Sequence, residues 1–277
     1  ARFAQGFPQM AVLLANARIN EDPTIGSLTD DNLADKLIWG GPVNKNRTDE
    51  KVLTGCSLFD RFGLDKEASS EYQYIADNIV DVSRADFYDC IRRFSERGLI
   101  DRRGRYAQFV PKPLAIRLAA QWWQRTHEDN QIKLLDTLPD QMVGSFCDQV
   151  EMLDFLPEVK EFTQTICGPQ GPFGQAEVIL SVRGSRLFRA LVIANPEASS
   201  NAIYEILSNL SESDIEGIGG DVRRNLVWAL ERLCFHAEYF EKSAWCMLLL
   251  AVAENETWSN NSTGMFAQLF RVHLERS

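Results

Sequence analysis

The sequence predicts a mostly α-helical protein, in which a winged helix-turn-helix domain is followed by an irregular α-helical repeat, or α-solenoid. Two observations favour this fold class. Apolar residues recur at helical spacing through most of the chain, and one short hairpin pattern directly follows a capped helix. We divide the chain into a helical segment (1–42), a winged-helix domain (43–125) and a helical repeat region (126–277).

The first segment contains two predicted helices. Residues 2–19 form a helical pattern that is broken internally by Gly6-Phe7-Pro8. A second helix begins with Thr29 or Asp30 as its N-cap and ends at Gly40-Gly41-Pro42. The chain starts in a helix and lacks an initiator methionine, so we expect it to be part of a longer protein.

The predicted winged helix contains three helices and a hairpin. Residues 49–62 and 66–80 carry helical apolar patterns, and Ser83 with Asp86 predicts a capping box for a third helix. That helix has an apolar stripe, and Gly98 is expected at its C′ position. The stripe is formed by Phe87, Cys90, Ile91 and Phe94.

The hairpin is predicted around Arg102-Arg103-Gly104, between Leu99-Ile100 and Tyr106–Val110, and Pro111 and Pro113 end it. Beyond Pro113 the only strand pattern is a weak one at 177–180. The remaining stretches read as helices without a fixed period. These are the stretch "LAIRLAAQWWQR" and residues 131–155, 157–167, 175–182, 184–194, 197–210, 221–235, 237–254 and 263–275.

Composition excludes some functions. A net charge of −10 argues against a protein that mainly coats nucleic acid or anionic membrane, because its field repels phosphates. The longest apolar run, Ala244–Ala253, is about half the length that a bilayer requires. We expect a cytoplasmic protein whose cysteines are reduced and mostly buried. These are Cys56, Cys90, Cys147, Cys167, Cys234 and Cys246.

No pattern of residues predicts catalysis by this chain. It contains no G-x-x-x-x-G-K-[ST] phosphate loop, and "CGPQGPFGQAE" is interpreted as a loop between helices. The three histidines (His127, His236 and His273) lie far apart, without cysteines or carboxylates at metal-ligand spacing. We therefore predict neither a catalytic residue nor a metal site.

Arginines are concentrated in the winged-helix segment. Arg92, Arg93 and Arg97 are expected on the exposed side of the third helix, and Arg102, Arg103 and Arg105 on the hairpin. These are the places from which a DNA-reading winged helix contacts phosphates and bases. The alternative interpretation is that these arginines pair with acidic neighbours in a structural module.

The order of these pieces resembles the STAND class of AAA+-related NTPases, which includes immune receptors and bacterial antiphage sensors. The resemblance rests on the Gly6-Phe7-Pro8 turn and on "LFDRFGL", "RRFSERGLIDRRGRYAQFVPKPLAIRLAAQWW", "GSRLFRALVIANPEA" and "AENETWSNNSTGMFAQLF". It covers nearly the whole chain. In that class, the Gly-x-Pro turn of the helical lid abuts the bound nucleotide, which implies this role for Gly6, Phe7 and Pro8.

The resemblance implies a regulatory piece, inactive alone, of a signal-transducing ATPase in bacterial defence or stress signalling. ATP or ADP with Mg²⁺ would bind to the full-length protein, and its partners would be the missing nucleotide-binding domain, further copies of itself and a protein trigger. One feature departs from the pattern. Many eukaryotic members carry Met-His-Asp at the end of the winged helix, whereas Pro111-Lys112-Pro113 stands here, so Lys112 would have to supply the phosphate-sensing cation.

Two other functions stay open at this point. A DNA-binding transcriptional regulator would use Arg92, Arg93 and Arg103 on a duplex and its acidic helices to sense an effector. A helical scaffold would bind a protein through an exposed apolar strip, for which Trp122-Trp123 and residues 258–270 are the candidates.

Overall fold

The computed structural model describes residues 30–40 and 46–252. These residues are mostly helical with few strands, which confirms the mostly α class. The chain divides into two compact units, residues 1–125 and 126–277, which are described separately below. The helices predicted over 2–19 and 263–275 lie outside the described residues.

The first unit combines helices with one small sheet. Residues Lys66–Ala68 form a 3₁₀ turn, and Ile75–Val80 form a π-helical turn that continues α3. The helices are α1 (Asp30–Trp39), α2 (Arg47–Cys56), α3 (Ser69–Tyr74), α4 (Arg84–Glu96) and α5 (Lys112–Arg125). The strands are β1 (Phe62–Gly63), β2 (Ile100–Arg103) and β3 (Tyr106–Phe109).

The sheet is antiparallel throughout, with β3 in the middle and the order β1-β3-β2. Strands β2 and β3 form a hairpin in which Arg103 pairs with Tyr106. Its two-residue turn is therefore Gly104-Arg105, and the predicted turn at Arg102-Arg103-Gly104 was placed too early. Gly104 takes a φ of 62°, a left-handed value that favours glycine at the first position of such a turn.

Helix α4 follows its sequence signals closely. Ser83 Oγ accepts from the Asp86 N–H over 3.1 Å, but its hydroxyl also donates to the Asp86 carboxylate, so only half of the predicted capping box forms. The predicted apolar stripe of α4 is buried. The helix ends in a Schellman motif, with Gly98 at φ 72° and the Leu99 N–H bonded to the Phe94 carbonyl.

The helix predicted over 49–62 is wrong at its C-terminal end, because α2 ends at Cys56. Residues Leu58, Phe59 and Phe62 keep helical spacing and are buried, but they reach the core from a turn and from β1. Phe62 pairs with Ala107 of β3 and packs its ring edge-on against Phe87 at 6.3 Å. Pairing with β3 thus satisfies the backbone that a longer helix would have satisfied internally.

The described residues of the second unit form helices joined by turns and loops, and none of them forms a strand. Short 3₁₀ turns occur at Glu151–Leu153, Pro172–Gly174 and Ala237–Tyr239. The helices are α6 (Glu128–Thr137), α7 (Asp140–Val150), α8 (Pro157–Ile166), α9 (Ala176–Ile179), α10 (Val182–Leu191), α11 (Pro196–Asn209), α12 (Glu212–Glu216), α13 (Gly220–Cys234) and α14 (Phe240–Val252).

These helices pack in two rows. Helix α10 packs against both α7 and α13, and in the other row α11 packs against both α8 and α14. Contacts between α13 and α14 join the rows. Each row buries large apolar side chains, among them Phe146, Phe162 and Phe188.

Two predictions for this unit were wrong in detail. The stretch 131–155 is split by Leu138-Pro139 into α6 and α7, because the proline lacks an amide proton for the helix. Residues 177–180, weakly predicted as a strand, lie in and directly after the short helix α9. The segment 168–175 is an inter-helix loop as predicted, closed over the buried Phe173. None of the helices in 30–40 and 46–252 has the length and apolar character needed to cross a bilayer.

Candidate functional site

The most structured polar site of the first unit lies where α1 ends against α4. Arg97 Nη1 donates to the Ile38 carbonyl over 2.7 Å, and its Nη2 donates to the Leu37 carbonyl over 3.2 Å. The last carbonyls of a helix lack intrahelical partners and carry its negative dipole end, so a guanidinium is well suited to cap them. Gly40, at φ 74°, closes the same turn through its N–H bond to the Lys36 carbonyl.

Aromatic contacts support this junction. Trp39 is buried, and its ring meets the Phe94 ring edge-on with centroids 6.0 Å apart. The Arg97 guanidinium lies 5.0 Å from the centroid of the Phe94 ring. The end of α1 is therefore held on α4 by one aromatic pair and by one cation.

A second polar group connects α2 to α4. Asp49, in the first turn of α2, forms an ion pair with Arg93 of α4, and the Asp49 side chain is only 12% exposed. Burial raises the pKa of the neighbouring Cys90 thiol, and the Asp49 carboxylate raises it further. Asp49 is thus an acceptor enclosed by an arginine and a protonated thiol.

These groups surround a cavity of about 480 Å³. Arg93 and the Asp49 carboxylate line it together with the end of α1. The lining consists of Lys36, Trp39, Gly40, Asp49, Arg93, Phe94 and Arg97. The lining combines cations with one carboxylate, and none of its residues is a nucleophile with an activating base.

The other predicted arginines also have partners within the chain. Arg92 pairs with Asp89 at 3.1 Å on α4, and Arg103 pairs with Asp101 at 2.7 Å on β2. On the hairpin, Arg105 Nη1 reaches Glu67 at 3.0 Å. Arg102 bonds to Asp65 at 2.8 Å and to the Tyr88 hydroxyl at 3.3 Å. All six arginines are exposed on α4 and the hairpin as predicted, and each one is already bonded to this chain.

Of the residues predicted to approach a nucleotide, the structure describes only Lys112. Gly6, Phe7 and Pro8 lie outside the described residues. Lys112 is the first residue of α5, where its Nζ forms an ion pair with Asp60. The Trp122-Trp123 pair is no apolar surface strip, because Trp123 is 1% exposed, and residues 258–270 also lie outside the described residues.

Within residues 30–40 and 46–252, no group of three or more His, Cys, Asp or Glu side chains lies close enough together to hold a metal ion. His127 and His236 are exposed, and His127 accepts from the Asp129 N–H at the start of α6. All six cysteines are buried free thiols. Burial raises the pKa of Cys147, Cys167 and Cys246 to about 12, so these thiols stay protonated and unreactive at neutral pH.

Sequence reasoning missed the acceptors of the arginine cluster. Asp49, Asp65 and Glu67 lie far from the arginines in sequence, and only the fold brings them next to α4 and the hairpin. The excess of acidic over basic residues in this chain is a signal that most arginines would find a carboxylate partner. Searches against protein-family models, curated proteins and solved structures found no match for this chain.

Proposed function

We propose that this chain is the lid, winged-helix and helical-repeat part of a STAND-type NTPase. In this proposal it couples the nucleotide state and a trigger to oligomerisation, in bacterial defence or stress signalling within the cytoplasm. The chain itself would bind no cofactor and catalyse nothing. ATP or ADP with Mg²⁺ would bind where a nucleotide-binding domain meets Gly6, Phe7 and Pro8.

The topology of the first unit supports the winged-helix assignment. Helices α2, α3 and α4 precede the β2-β3 hairpin, and β1 adds a third strand beside β3. That order of three helices and an antiparallel sheet with a glycine turn is typical of winged helices. In a winged helix of this order, α4 would correspond to the recognition helix of DNA-binding members.

The two rows of the second unit support the repeat assignment. Helices α7 and α8, α10 and α11, and α13 and α14 form successive pairs whose equivalent members pack on each other. Their starting points recur at intervals of about 40 residues, which is within the range of two-helix repeats. The intervals differ from pair to pair, as expected for an irregular α-solenoid.

The observation that carries the proposal is that the arginines at α4, the helix in the recognition position, bond to other helices of the same chain. Arg97 holds the end of α1, and Arg93 is paired with the enclosed Asp49. A DNA reader leaves such side chains available to the duplex. Here Arg97 fastens a preceding helix, α1, to the end of α4, and Arg93 ties α4 to α2, which is what we expect of a regulatory module with a closed state.

In this proposal, the α1–α4 junction is the contact that differs between the closed and open states. A ligand shifts a conformational equilibrium only through contacts that differ between its states. We assign the Arg97 bonds to the closed state, in which α1 stays on α4. Opening would release α1, and Lys112 would leave Asp60 to act as a cation towards the nucleotide.

The test uses the natural protein that contains this chain. Nucleotide content and oligomeric mass are measured with ATP and with ADP, for the wild type, Arg97→Ala and the matched surface variant Arg92→Ala. We expect bound adenine nucleotide, assembly only with ATP, and assembly at lower ATP concentration for Arg97→Ala than for Arg92→Ala. A protein of one size without nucleotide would overturn the proposal.

Pro8→Ala tests the nucleotide contact separately. A proline that packs on the nucleotide contributes binding free energy, so nucleotide affinity should fall and activation should shift. Affinity and signalling equal to those of the wild type would remove Gly6, Phe7 and Pro8 from the site.

DNA binding is the alternative function for the arginines. It predicts that the chain retards a duplex at low salt and that replacing Arg92, Arg93 and Arg103 abolishes the retardation. Because all three already pair with acids of the chain, we expect no retardation at any salt concentration. Salt-sensitive retardation that these replacements abolish would favour the regulator.

A further inference from the structure

The exposed face of the row α7-α10-α13 carries two arginines that have no carboxylate partner. Arg186 is exposed and Arg189 is half-buried, and they lie one turn apart on α10. Among the described residues, neither has an ion pair or a side-chain hydrogen bond. By contrast, Arg183 on the same helix binds Asp140 at 2.8 Å and the Leu135 carbonyl.

Arg189 is held by an aromatic ring. Its guanidinium lies 4.8 Å from the centroid of the Trp228 ring on α13, and the indole is itself 43% exposed. Stacking leaves the N–H groups at the edge of the guanidinium free to donate. The pair is therefore a rigid donor beside an apolar surface.

Arg186 is accommodated by a glycine. A Cβ at Gly144, in the middle of α7, would collide with Arg186 Nη2 and lie 3.1 Å from its Cζ. Glycine inside a helix costs about 1 kcal/mol relative to alanine. Two features here lower the stability of the fold. One is the glycine inside α7, and the other is the repulsion between Arg186 and Arg189, one turn apart on α10.

Exposed apolar side chains occur at one end of this row. Arg232 of α13 bonds to Glu151 at 2.8 Å, directly after α7, and therefore joins the two outer helices of the row at one end. Met152 and Phe235 lie next along the chain at that end, and they are 50% and 49% exposed. Tryptophan and arginine beside exposed apolar side chains are typical of protein-binding surfaces.

We propose that this face binds an acidic peptide segment of a partner protein. The segment's carboxylates would bind Arg186 and Arg189, and one of its apolar side chains would pack on Trp228. Charge complementarity selects this occupant, because guanidinium groups without acidic partners match carboxylates, which they bind with two parallel hydrogen bonds. The inference does not depend on the proposed function.

The experiment measures fluorescence anisotropy of a labelled peptide of alternating glutamate and leucine, titrated with the chain. Replacing both Arg186→Gln and Arg189→Gln should weaken binding by about tenfold or more, since two charge-assisted contacts are lost. The matched control replaces Arg92→Gln and Arg103→Gln, two exposed arginines of the first unit, and so removes the same charge. Equal loss in both double variants, or no binding by the wild type, would overturn the proposal.

A second variant keeps both arginines in the chain. Gly144→Ala places a methyl group where the Arg186 guanidinium lies, so it should weaken peptide binding without any change of charge. Thermal unfolding followed by circular dichroism checks that every variant folds. Unchanged binding by Gly144→Ala would remove Arg186 from the site.

Three further measurements test whether something other than an acidic peptide binds this face. A glutamine–leucine peptide that binds as tightly as the glutamate peptide would exclude recognition of carboxylates. Tighter binding of a single-stranded oligonucleotide would replace the peptide by nucleic acid. A dimer seen in sedimentation that only the Arg186/Arg189 variant loses would replace it by a second copy.

Discussion

Arg97 and Ile38 form the bond that fastens α1 to α4, with Arg97 Nη1 donating to the Ile38 carbonyl over 2.7 Å. The acceptor belongs to the last turn of a helix, where no amide of the helix can reach it. Trp39, the next residue, is packed against Phe94 of the same helix α4. The two contacts together give α1 a defined end and a defined neighbour.

Replacing Arg97→Ala should loosen this end of α1. Loss of hydrogen bonds from a charged donor to buried carbonyls costs about 1–2 kcal/mol, which urea denaturation would measure. Amide hydrogen exchange at residues 37–40 should accelerate, because this is the turn that loses its cap.

Arg92→Ala is the matched control for Arg97→Ala. Arg92 and Asp89 are 62% and 59% exposed at their side chains, and such a surface ion pair contributes about 0–0.5 kcal/mol. Equal stability and equal exchange rates in the two variants would show that Arg97 does not hold α1.

Gly63 is expected to be intolerant of any side chain. A Cβ at this position would collide with the carbonyl oxygen and Cβ of Ala68, and backbone cannot move aside as a flexible side chain does. We expect Gly63→Ala to destabilise the chain by about 1–3 kcal/mol, through displacement of β1 from β3. Chemical denaturation measures this loss.

Gly217→Ala serves as the comparison for Gly63→Ala, because the nearest atoms to a Cβ added at position 217 lie 3.4 Å away. It should leave stability within about 0.5 kcal/mol of the wild type. A Gly63→Ala protein as stable as Gly217→Ala would mean that β1 can shift without cost.

Glu71 gives the stability a pH dependence. Its carboxylate accepts from the Gly63 N–H over 2.8 Å, and its pKa is raised because burial disfavours the charged form more than this bond and the nearby Arg61 and Arg105 favour it. The folded state therefore holds the Glu71 proton at pH values where the unfolded state has lost it. This contribution favours folding at low pH and fades as the pH rises through the folded pKa.

Glu71→Gln removes that titration and keeps an acceptor for Gly63. The variant should be more stable than the wild type at neutral pH, and the difference should shrink as the pH falls below the folded pKa. Urea denaturation of both proteins at several pH values measures this. A difference that is constant with pH, or that grows on acidification, would contradict the raised pKa.

Local signals in the sequence were sufficient for α4. The Ser83 cap, the four buried stripe residues and the positive φ of Gly98 all depend on contacts within a few residues. The region 57–63 shows where such reasoning ends. Its apolar spacing is helical, but pairing of Phe62 with Ala107, which is distant in sequence, decides the structure.

The candidate site was predictable only in part. Exposure of the arginines on α4 and the hairpin followed from helical periodicity and from the turn. Their partners did not, because an ion pair such as Arg105 with Glu67 depends on how the hairpin lies against the 3₁₀ turn before α3. The Trp122-Trp123 pair illustrates a further gap. Trp123 is buried, whereas two single tryptophans, Trp228 and Trp245, are 43% and 49% exposed, and no local pattern distinguishes them from core residues.

Gly144→Ala separates stability from binding in a single substitution. Alanine favours the helical state of α7 over glycine by about 1 kcal/mol, and the displaced atoms belong to the end of a flexible arginine. We therefore expect the free energy of unfolding to rise while affinity for the glutamate–leucine peptide falls. A glycine kept only because the site is tightly packed gives the opposite result, since the added methyl group would strain the fold and lower its stability. Denaturation and anisotropy measured on the same preparation decide between the two, and a destabilised variant with full affinity would contradict the role given to Arg186.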